Sequence, residues 1–353
     1  MTYQFTLSPD LSMRYLSGWY VFNTWLQRKL GVRIHLELYD DFDSQRQAIA
    51  ADKVTLRTNW LFYGSHSVFL LGIDKGFYAK EGIDLTVKQG NGSGNATRLV
   101  ANGDSDFAYG SAVTMLNLAA QGAPVIAVAT IDAQGADAVL VNPDSGIKDW
   151  KGLEGQKVLT TAGAGVNTLF PVAAAKHGAD PEKISLTNVA ESALVSSYLQ
   201  GLAPAMLGGM DDKPAEIKAN GGKQPVMLDY GIPQPGYAIV ASKEMVASNP
   251  DLVRRFVKAT LEAVAAAKAN PDESVQALIN WSGSVEDQKA QAREVLDFTL
   301  SILKSPNNTD GRLGYNVPAD WDSALEILKK YKELKTDQPA SAFYTNEFIP
   351  PAG

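Results

Sequence analysis

The sequence contains no cysteine and only three histidines, His35, His66 and His177. The absence of cysteine excludes thiol nucleophiles, cysteine-ligated iron–sulfur clusters and the usual cysteine–histidine zinc sites. The histidines are scattered along the chain, so no metal-ligand spacing is present. We therefore expect neither a metal ion nor another cofactor.

Long apolar runs and dense basic runs are also missing. No stretch approaches the roughly 18 apolar residues of a membrane-spanning helix. The first residues, MTYQFTLSPD, lack the basic and continuous apolar regions of a secretory signal, so we expect a soluble chain whose export signal is absent or removed. The net charge is -7. Because nucleic acid binding requires clustered cations, nucleic acid is not an expected partner.

What is present is the composition of an ordinary globular protein, with 45% hydrophobic and 20% charged residues in 353 positions. At roughly 150 residues per domain, this length suggests two domains. Short apolar runs alternate with amphipathic stretches over residues 54–142, and a second such series begins near Trp150. This alternation predicts an α/β fold with two lobes and mainly parallel sheets.

The predicted boundaries follow from these two series. Lobe 1 is expected to comprise residues 54–142 and 236–353, including a helical region after Asn249, and lobe 2 residues 143–235. The hinge would lie at the crossings near Val141–Asp144 and Gly231–Tyr237.

Residues 1–53 form a separate βαβα pattern with six basic and six acidic residues. This extension buries too little apolar surface to be stable alone, so we expect it to dock on the main body or on a partner.

Candidate site residues lie where strands give way to helices, because ligands of open α/β sheets bind outside the carboxyl ends of the strands. Trp60 and Tyr63 offer flat apolar faces, and His66 can donate or accept a hydrogen bond. The alternative is that Trp60 belongs to the core and His66 only caps a helix. The candidates of the first lobe are Asn59, Trp60, Tyr63, Gly64, Ser65, His66, Ser93, Gly94, Tyr109, Gly110 and Ser111.

The second lobe offers two further turns. TTAGAGVNT supplies Thr160, Thr161, Gly163 and Asn167, and GGMDDKP supplies Asp211 and Asp212. Acidic residues ahead of a helix are ordinarily capping residues. A carboxylate that faced the cleft instead would select cationic or N–H-donating ligands.

No catalytic residue is predicted. His66 has no partner at a defining spacing, and His177 lies near the end of a helix, where an imidazolium is simply stabilised. The glycine-rich turn QGNGSGNAT is not followed by the Lys-Ser/Thr of a nucleotide-binding loop, so it does not indicate a nucleotide site.

Several motifs resemble those of substrate-binding proteins of ABC importers, in the nitrate/sulfonate/bicarbonate and thiamine-pyrimidine-precursor family. They are NW-x5-H, KGFYAKEGIDL, LVANGDSDF and FYTNEFIP, and the similarity covers about Val54 to Pro350. The resemblance implies a type II periplasmic binding protein fold, a ligand enclosed between the lobes and contacts from the candidates above. It further implies a periplasmic monomer that reaches the membrane only through an ABC permease.

Two segments depart from that family. Its pyrimidine-precursor binders, which stack a heteroaromatic ring, can carry an aromatic-rich, glutamate-containing loop where this chain has GGMDDKP. Asp211 or Asp212 would then replace the carboxylate. Residues 1–53 instead resemble the beginning of phosphonate-type binding proteins.

These observations favour a non-catalytic receptor for a small polar or heteroaromatic ligand. A thiamine-pyrimidine precursor is favoured, and a sulfonate or nitrate is next. Two alternatives stay open, an enzyme similar to thiamine-pyrimidine synthases and a cytosolic ligand sensor.

Overall fold

The structure is a computed structural model that describes residues 2–6, 16–30, 33–37, 51–282, 288–309, 311–331 and 334–351. In the amino-terminal extension, strands β1 (Thr2–Thr6) and β2 (Arg33–Glu37) pair in parallel, and helix α1 (Leu16–Leu30) connects them. The second helix predicted for this extension falls, except for Ala51, on residues outside the described part of the chain. Docking of the extension stays a prediction.

The main body alternates strands and helices as the sequence predicts. Its strands are β3 (Asp52–Arg57), β4 (Ile83–Lys88), β5 (Phe107–Ser111), β6 (Val125–Thr130), β7 (Asp137–Val141), β8 (Lys157–Thr160), β9 (Ser185–Asn188), β10 (Ala205–Gly209), β11 (Val226–Asp229) and β12 (Tyr237–Ser242). Its helices are α2 (Ser67–Asp74), α3 (Phe77–Lys80), α4 (Ser93–Ala101), α5 (Ala112–Ala120), α6 (Phe170–Lys176), α7 (Leu194–Leu199), α8 (Lys213–Ala219), α9 (Lys243–Ser248), α10 (Pro250–Ala269), α11 (Pro271–Ser282), α12 (Lys289–Ser301) and α13 (Pro318–Tyr331). None of these described helices is long and apolar enough to cross a lipid bilayer.

The strands form two five-stranded sheets with the same pattern. The first has the order β4-β3-β5-β12-β6 and the second β9-β8-β10-β7-β11. In each sheet four strands point the same way and one is antiparallel to both neighbours, β12 in the first and β7 in the second. Each reversed strand is the one that follows a crossing from the other sheet. The prediction of two α/β lobes with mainly parallel sheets is confirmed.

One predicted boundary is wrong. The sequence places residues 54–142 in lobe 1, but β7 pairs with β10 and β11 and therefore belongs to the second sheet. The first crossing lies at residues 131–136 rather than at Val141–Asp144. The apolar run of β7 reads as a further strand of either series, and only its pairing partners decide the lobe. The return crossing, at residues 230–236 between β11 and β12, lies where the sequence predicts it.

Helix α10 packs against the first sheet. Asn249 caps α10, because its side chain accepts a hydrogen bond from the Leu252 amide. Phe256, on the buried face of α10, stacks on Phe107 of β5 with ring centroids 4.0 Å apart. Fully buried apolar side chains on one helical face drive this kind of packing. The packing fixes the lobe that carries the first half of the site.

Candidate functional site

A cavity of about 50 Å³ lies between the two lobes, at the carboxyl ends of their parallel strands, and we call it the inner cavity. The loops after β3, β8, β9 and β10 reach it, and so does the first residue of β12. Its lining comes from both lobes and consists of Asn59, Trp60, Tyr63, Ser93, Thr160, Thr161, Ala164, Gly165, Val166, Glu191, Leu194, Leu207, Gly208, Gly209, Asp212, Lys213 and Tyr237.

The loop after β3 is held rigidly by its backbone. The Trp60 carbonyl oxygen accepts hydrogen bonds from the Thr58 hydroxyl at 2.7 Å and from the Gly90 amide at 3.0 Å. The Asn59 carbonyl oxygen accepts one from the Gly92 amide at 2.7 Å. A side chain at Gly90 would collide with the Thr58 carbonyl, so only glycine allows this close approach. The loop thus presents Trp60 to the cavity in one fixed position.

His66 supports the site from behind. Its Nε2 lies 2.8 Å from the Asn59 Oδ1, and its ring meets the edges of Tyr63 and Tyr109. Burial lowers the pKa of His66 to about 3, so the imidazole is neutral at physiological pH. We expected His66 to line the inner cavity, but it does not. Its side chain does not cap α2 either. Its contacts position Asn59 and Tyr63 instead.

Seven of the predicted site residues line the inner cavity, and ten do not. The seven are Asn59, Trp60, Tyr63, Ser93, Thr160, Thr161 and Asp212. The ten lie behind or beside it, and they are Gly64, Ser65, His66, Gly94, Tyr109, Gly110, Ser111, Gly163, Asn167 and Asp211.

Most of the ten have structural partners that account for their position. The Ser65 hydroxyl lies 2.6 Å from the hydroxyl of Thr299, and the Tyr109 hydroxyl donates to Asp132 at 2.7 Å. Ser111 caps α5, since its side chain accepts a hydrogen bond from the Thr114 amide. These side chains stabilise the lobe that carries the site.

Asn167 holds the corresponding turn of the second lobe. Its Oδ1 accepts a hydrogen bond from the Thr160 hydroxyl at 2.5 Å, and its Nδ2 donates to the Thr161 carbonyl at 2.8 Å. The Thr161 hydroxyl donates a long hydrogen bond to the Glu191 carboxylate, at 3.4 Å. The turn therefore brings two hydroxyl groups to the cavity wall while the amide of Asn167 stays behind them.

A buried ion cluster that we did not predict forms the floor of the site. The ammonium of Lys213, whose side chain is only 6% exposed, lies 3.1 Å from Glu191, 3.2 Å from Asp212 and 2.7 Å from Glu216. Burial alone would lower the pKa of Lys213, but the three carboxylates raise it above its ordinary value. Burial also raises the pKa of Glu191, although Lys213 opposes the rise.

Two of the residues that we did not predict, Lys213 and Glu191, carried a signal in the sequence. Lys213 is the first residue of α8, where the helix dipole disfavours a positive charge unless carboxylates surround it. Glu191 lies in the short segment between β9 and α7. It therefore sits at the same kind of strand-to-helix turn that identified Trp60.

Direct contacts between the lobes enclose the cavity. The Trp60 indole N–H, from lobe 1, donates a hydrogen bond to the Glu191 carboxylate of lobe 2. The hydroxyls of Thr114 and Thr168 lie 3.0 Å apart across the cleft. The backbone of Gly92 also approaches Gly163 so closely that a side chain at Gly92 would collide with the Gly163 carbonyl oxygen. The structure is a closed form of the two lobes.

Asp132 lies at the first crossing, and its carboxyl is 1% exposed. Burial raises its pKa from 3.8 to about 7, although the hydrogen bond from Tyr109 opposes the rise. The folded protein therefore keeps a proton on Asp132 in the range where the unfolded chain has lost it. The contribution of Asp132 to folding stability should therefore fall as the pH rises through this range and become constant above it.

We expect Asp132→Asn to remove this dependence. Between about pH 4 and pH 7, its free energy of unfolding should rise relative to the wild type by up to about 1.4 kcal/mol per pH unit. Urea unfolding of both proteins across this range measures the difference. Asp104→Asn, at an exposed position, is the control, and an equal pH dependence in both variants would contradict the assignment to Asp132.

Comparisons with known proteins agree with this architecture. The family model described as "NMT1/THI5 like" matches residues 64–274. The chain is 24% identical over 306 residues to the riboflavin-binding protein RibY of Chloroflexus aurantiacus, covering 84% of this chain and 86% of that protein. It is 22% identical over 306 residues to the 4-amino-5-hydroxymethyl-2-methylpyrimidine phosphate synthase of Legionella pneumophila, covering 84% and 92%.

Among solved structures, the chain is similar to the alkanesulfonate-binding protein SsuA from Xanthomonas axonopodis pv. citri bound to MOPS. The TM-score is 0.65 at 13% sequence identity, and the match covers 83% of this chain and 98% of that one. At this identity the similarity concerns the fold, which is that of the two-lobed periplasmic binding proteins.

Proposed function

The chain belongs to the NMT1/THI5-like family, and on that premise we propose that it is a solute-binding receptor for a planar nitrogen heterocycle. The inner cavity is the observation that carries the proposal. Three aromatic side chains line it, Trp60, Tyr63 and Tyr237, together with hydroxyl groups from both lobes and carboxylates from the second lobe. Aromatic walls with a few convergent polar groups suit a flat ring with a hydrogen-bonding edge.

The charged side chains that line the inner cavity restrict the class of ligand that it can bind. The single ammonium among the described lining residues, Lys213, already pairs with Glu191, Asp212 and Glu216. A sulfonate or nitrate would therefore meet carboxylates that no cation is left to neutralise, and burying an unpaired anion is costly. A neutral or cationic ring that donates N–H groups to Glu191 and Asp212 is favoured instead. An aminopyrimidine has this chemistry.

The printed names of the relatives support the same class. One relative is named for riboflavin and the other for a 4-aminopyrimidine phosphate. Both compounds contain a planar, nitrogen-containing ring. We extend to this chain only the feature that the two compounds share.

Capture requires the lobes to separate and close again. The two connecting segments, 131–136 and 230–236, are the positions where rotation would occur, as in other two-lobed hinge proteins. The proposal includes an extracytoplasmic location, a monomeric state and an ABC permease that recognises the closed form. These three parts of the proposal follow from the fold and from the use of this fold in ABC importers.

An enzyme is the second candidate, because a relative of similar overall length is named as a pyrimidine phosphate synthase. The residues of this chain give it less support. His66 is buried, neutral and outside the inner cavity, and the chain has no cysteine. Conversion of the bound heterocycle into a product would favour this candidate over the receptor.

Trp60→Ala tests the receptor directly. Loss of the indole removes apolar contact area and a stacking surface, so the affinity for 4-amino-5-hydroxymethyl-2-methylpyrimidine should fall about 100-fold. Isothermal titration calorimetry measures this change.

Trp281→Ala is the matched control. Trp281 is 48% exposed, and its indole N–H also donates to a carboxylate, that of Asp74 at 2.9 Å. It lies outside the inner cavity, so its replacement should leave the affinity unchanged. Equal affinities of Trp60→Ala and the wild type would place the ligand elsewhere and overturn the proposal.

A further inference from the structure

A second cavity of about 360 Å³, which we call the outer chamber, adjoins the inner cavity. Five residues line both spaces and form the wall between them: Trp60, Tyr63, Glu191, Asp212 and Lys213. Beyond this wall the outer chamber is bounded by α8, α11 and α12, whose contributions include Glu216, Leu278, Ile279, Gln291 and Val295. The outer chamber thus extends the cleft beyond the inner cavity.

The wall depends on a contact between side chains rather than on backbone. The indole of Trp60 and the carboxylate of Glu191 meet across the cleft, and both side chains line both spaces. The Glu191 carboxylate has a second strong partner in Lys213, at 3.1 Å, which also lines both spaces. Glu191 can therefore move away from Trp60 and still keep its ion pair. Such a movement would join the two cavities.

The volumes indicate that the joined space is the functional one. The inner cavity alone, about 50 Å³, is far smaller than the roughly 300–1,000 Å³ of typical ligand pockets. Addition of the outer chamber, about 360 Å³, brings the cleft into that range. A ligand that used only the inner cavity would leave the larger space unoccupied.

The chemistry of the outer chamber selects the part of the ligand that enters it. Leu278, Ile279 and Val295 give it an apolar side. On the other side three carboxylates, of Glu191, Asp212 and Glu216, surround the single ammonium of Lys213 and leave an excess of negative charge. An apolar wall opposite such an edge favours an organic cation and disfavours a phosphate or sulfonate.

We propose that the ligand has two parts, a planar heterocycle in the inner cavity and an organic cationic substituent in the outer chamber. The substituent passes between Trp60 and Glu191 and replaces the hydrogen bond between them. This inference rests on the proposed receptor function and adds a second subsite to it.

Three probes that share one ring test the inference by calorimetry. 4-Amino-5-hydroxymethyl-2-methylpyrimidine carries the ring alone, thiamine joins the same aminopyrimidine to a cationic thiazolium, and thiamine monophosphate adds an anion. We expect thiamine to bind at least 10-fold more tightly than the ring alone, and thiamine monophosphate to lose most of that gain. Equal affinity for the first two probes would overturn the second subsite but leave the receptor function intact.

Gln291→Trp tests whether the gain in thiamine affinity arises in the outer chamber. Gln291 lines only the outer chamber, so an indole there should reduce thiamine binding to the level of the ring alone and leave ring binding unchanged. Gln338→Trp, at an exposed position outside both cavities, is the control. A thiamine affinity that Gln291→Trp leaves unchanged would contradict the subsite.

Glu216→Gln provides a second test that does not depend on added bulk. Glu216 lines only the outer chamber, and the variant removes one negative charge. The preference for thiamine over the ring alone should become several-fold smaller. An unchanged preference would contradict the electrostatic basis of the subsite. Failure of both ring-containing probes to bind the wild type would instead overturn the receptor function and, with it, this inference.

Discussion

Replacement of Lys213 by methionine is expected to lower the free energy of unfolding by about 3–5 kcal/mol. The ammonium lies within 3.2 Å of Glu191, Asp212 and Glu216 in a site where its side chain is 6% exposed. Without it, the carboxylates would face one another with no cation to stabilise them, and they would have to take up protons or move into water. Urea unfolding at neutral pH measures the loss.

Lys218→Met is the matched control on the same helix. Lys218 also faces a carboxylate, that of Glu294 at 3.6 Å, but the two side chains are 68% and 51% exposed. Exposed pairs of this kind contribute about 0–1 kcal/mol. Similar losses in the two variants would show that Lys213 is not the buried centre of the cluster.

Gly92→Ala is expected to keep the lobes apart. Gly92 adopts a positive φ of 90°, and the added methyl group would collide with the Gly163 carbonyl of the opposite lobe. The collision exists only in the closed form, so the open form gains population and the ligand affinity should fall at least about 10-fold, with a cost of about 1.4 kcal/mol or more on closure. Small-angle scattering should show a larger radius of gyration.

Gly103→Ala separates closure from local strain. Gly103 also has a positive φ, 78°, but its added methyl group would meet no atom within 4 Å. Both variants force a non-glycine residue to adopt a positive φ. We expect the control to lose some stability and to keep the affinity of the wild type. If both variants bound ligand equally, contact between Gly92 and Gly163 would not limit closure.

Much of the fold could be predicted because its periodicity is strong. Apolar runs of strand length alternate with amphipathic helices, and this alternation indicated two α/β lobes. The position of β7 could not be predicted in the same way. Its residues, Asp137–Val141, fit either lobe, and only the hydrogen bonds to β10 and β11 assign the strand to the second sheet.

The site was predictable as a set of turns but not as a set of side chains. Strand-to-helix turns drew attention to Trp60 and Thr160, which line the inner cavity. The same turns also carry Ser65 and His66, whose side chains point into the lobe and bond Thr299 and Asn59. The direction of a side chain within a turn depends on the helices packed behind it, and those helices come from distant parts of the sequence.

We propose that the protein binds a planar nitrogen heterocycle between its lobes without changing it. Native mass spectrometry of the wild-type protein with 4-amino-5-hydroxymethyl-2-methylpyrimidine tests this claim most directly. We expect a one-to-one complex from which the pyrimidine is released with its mass unaltered. Absence of a complex, or release of a product of different mass, would contradict it.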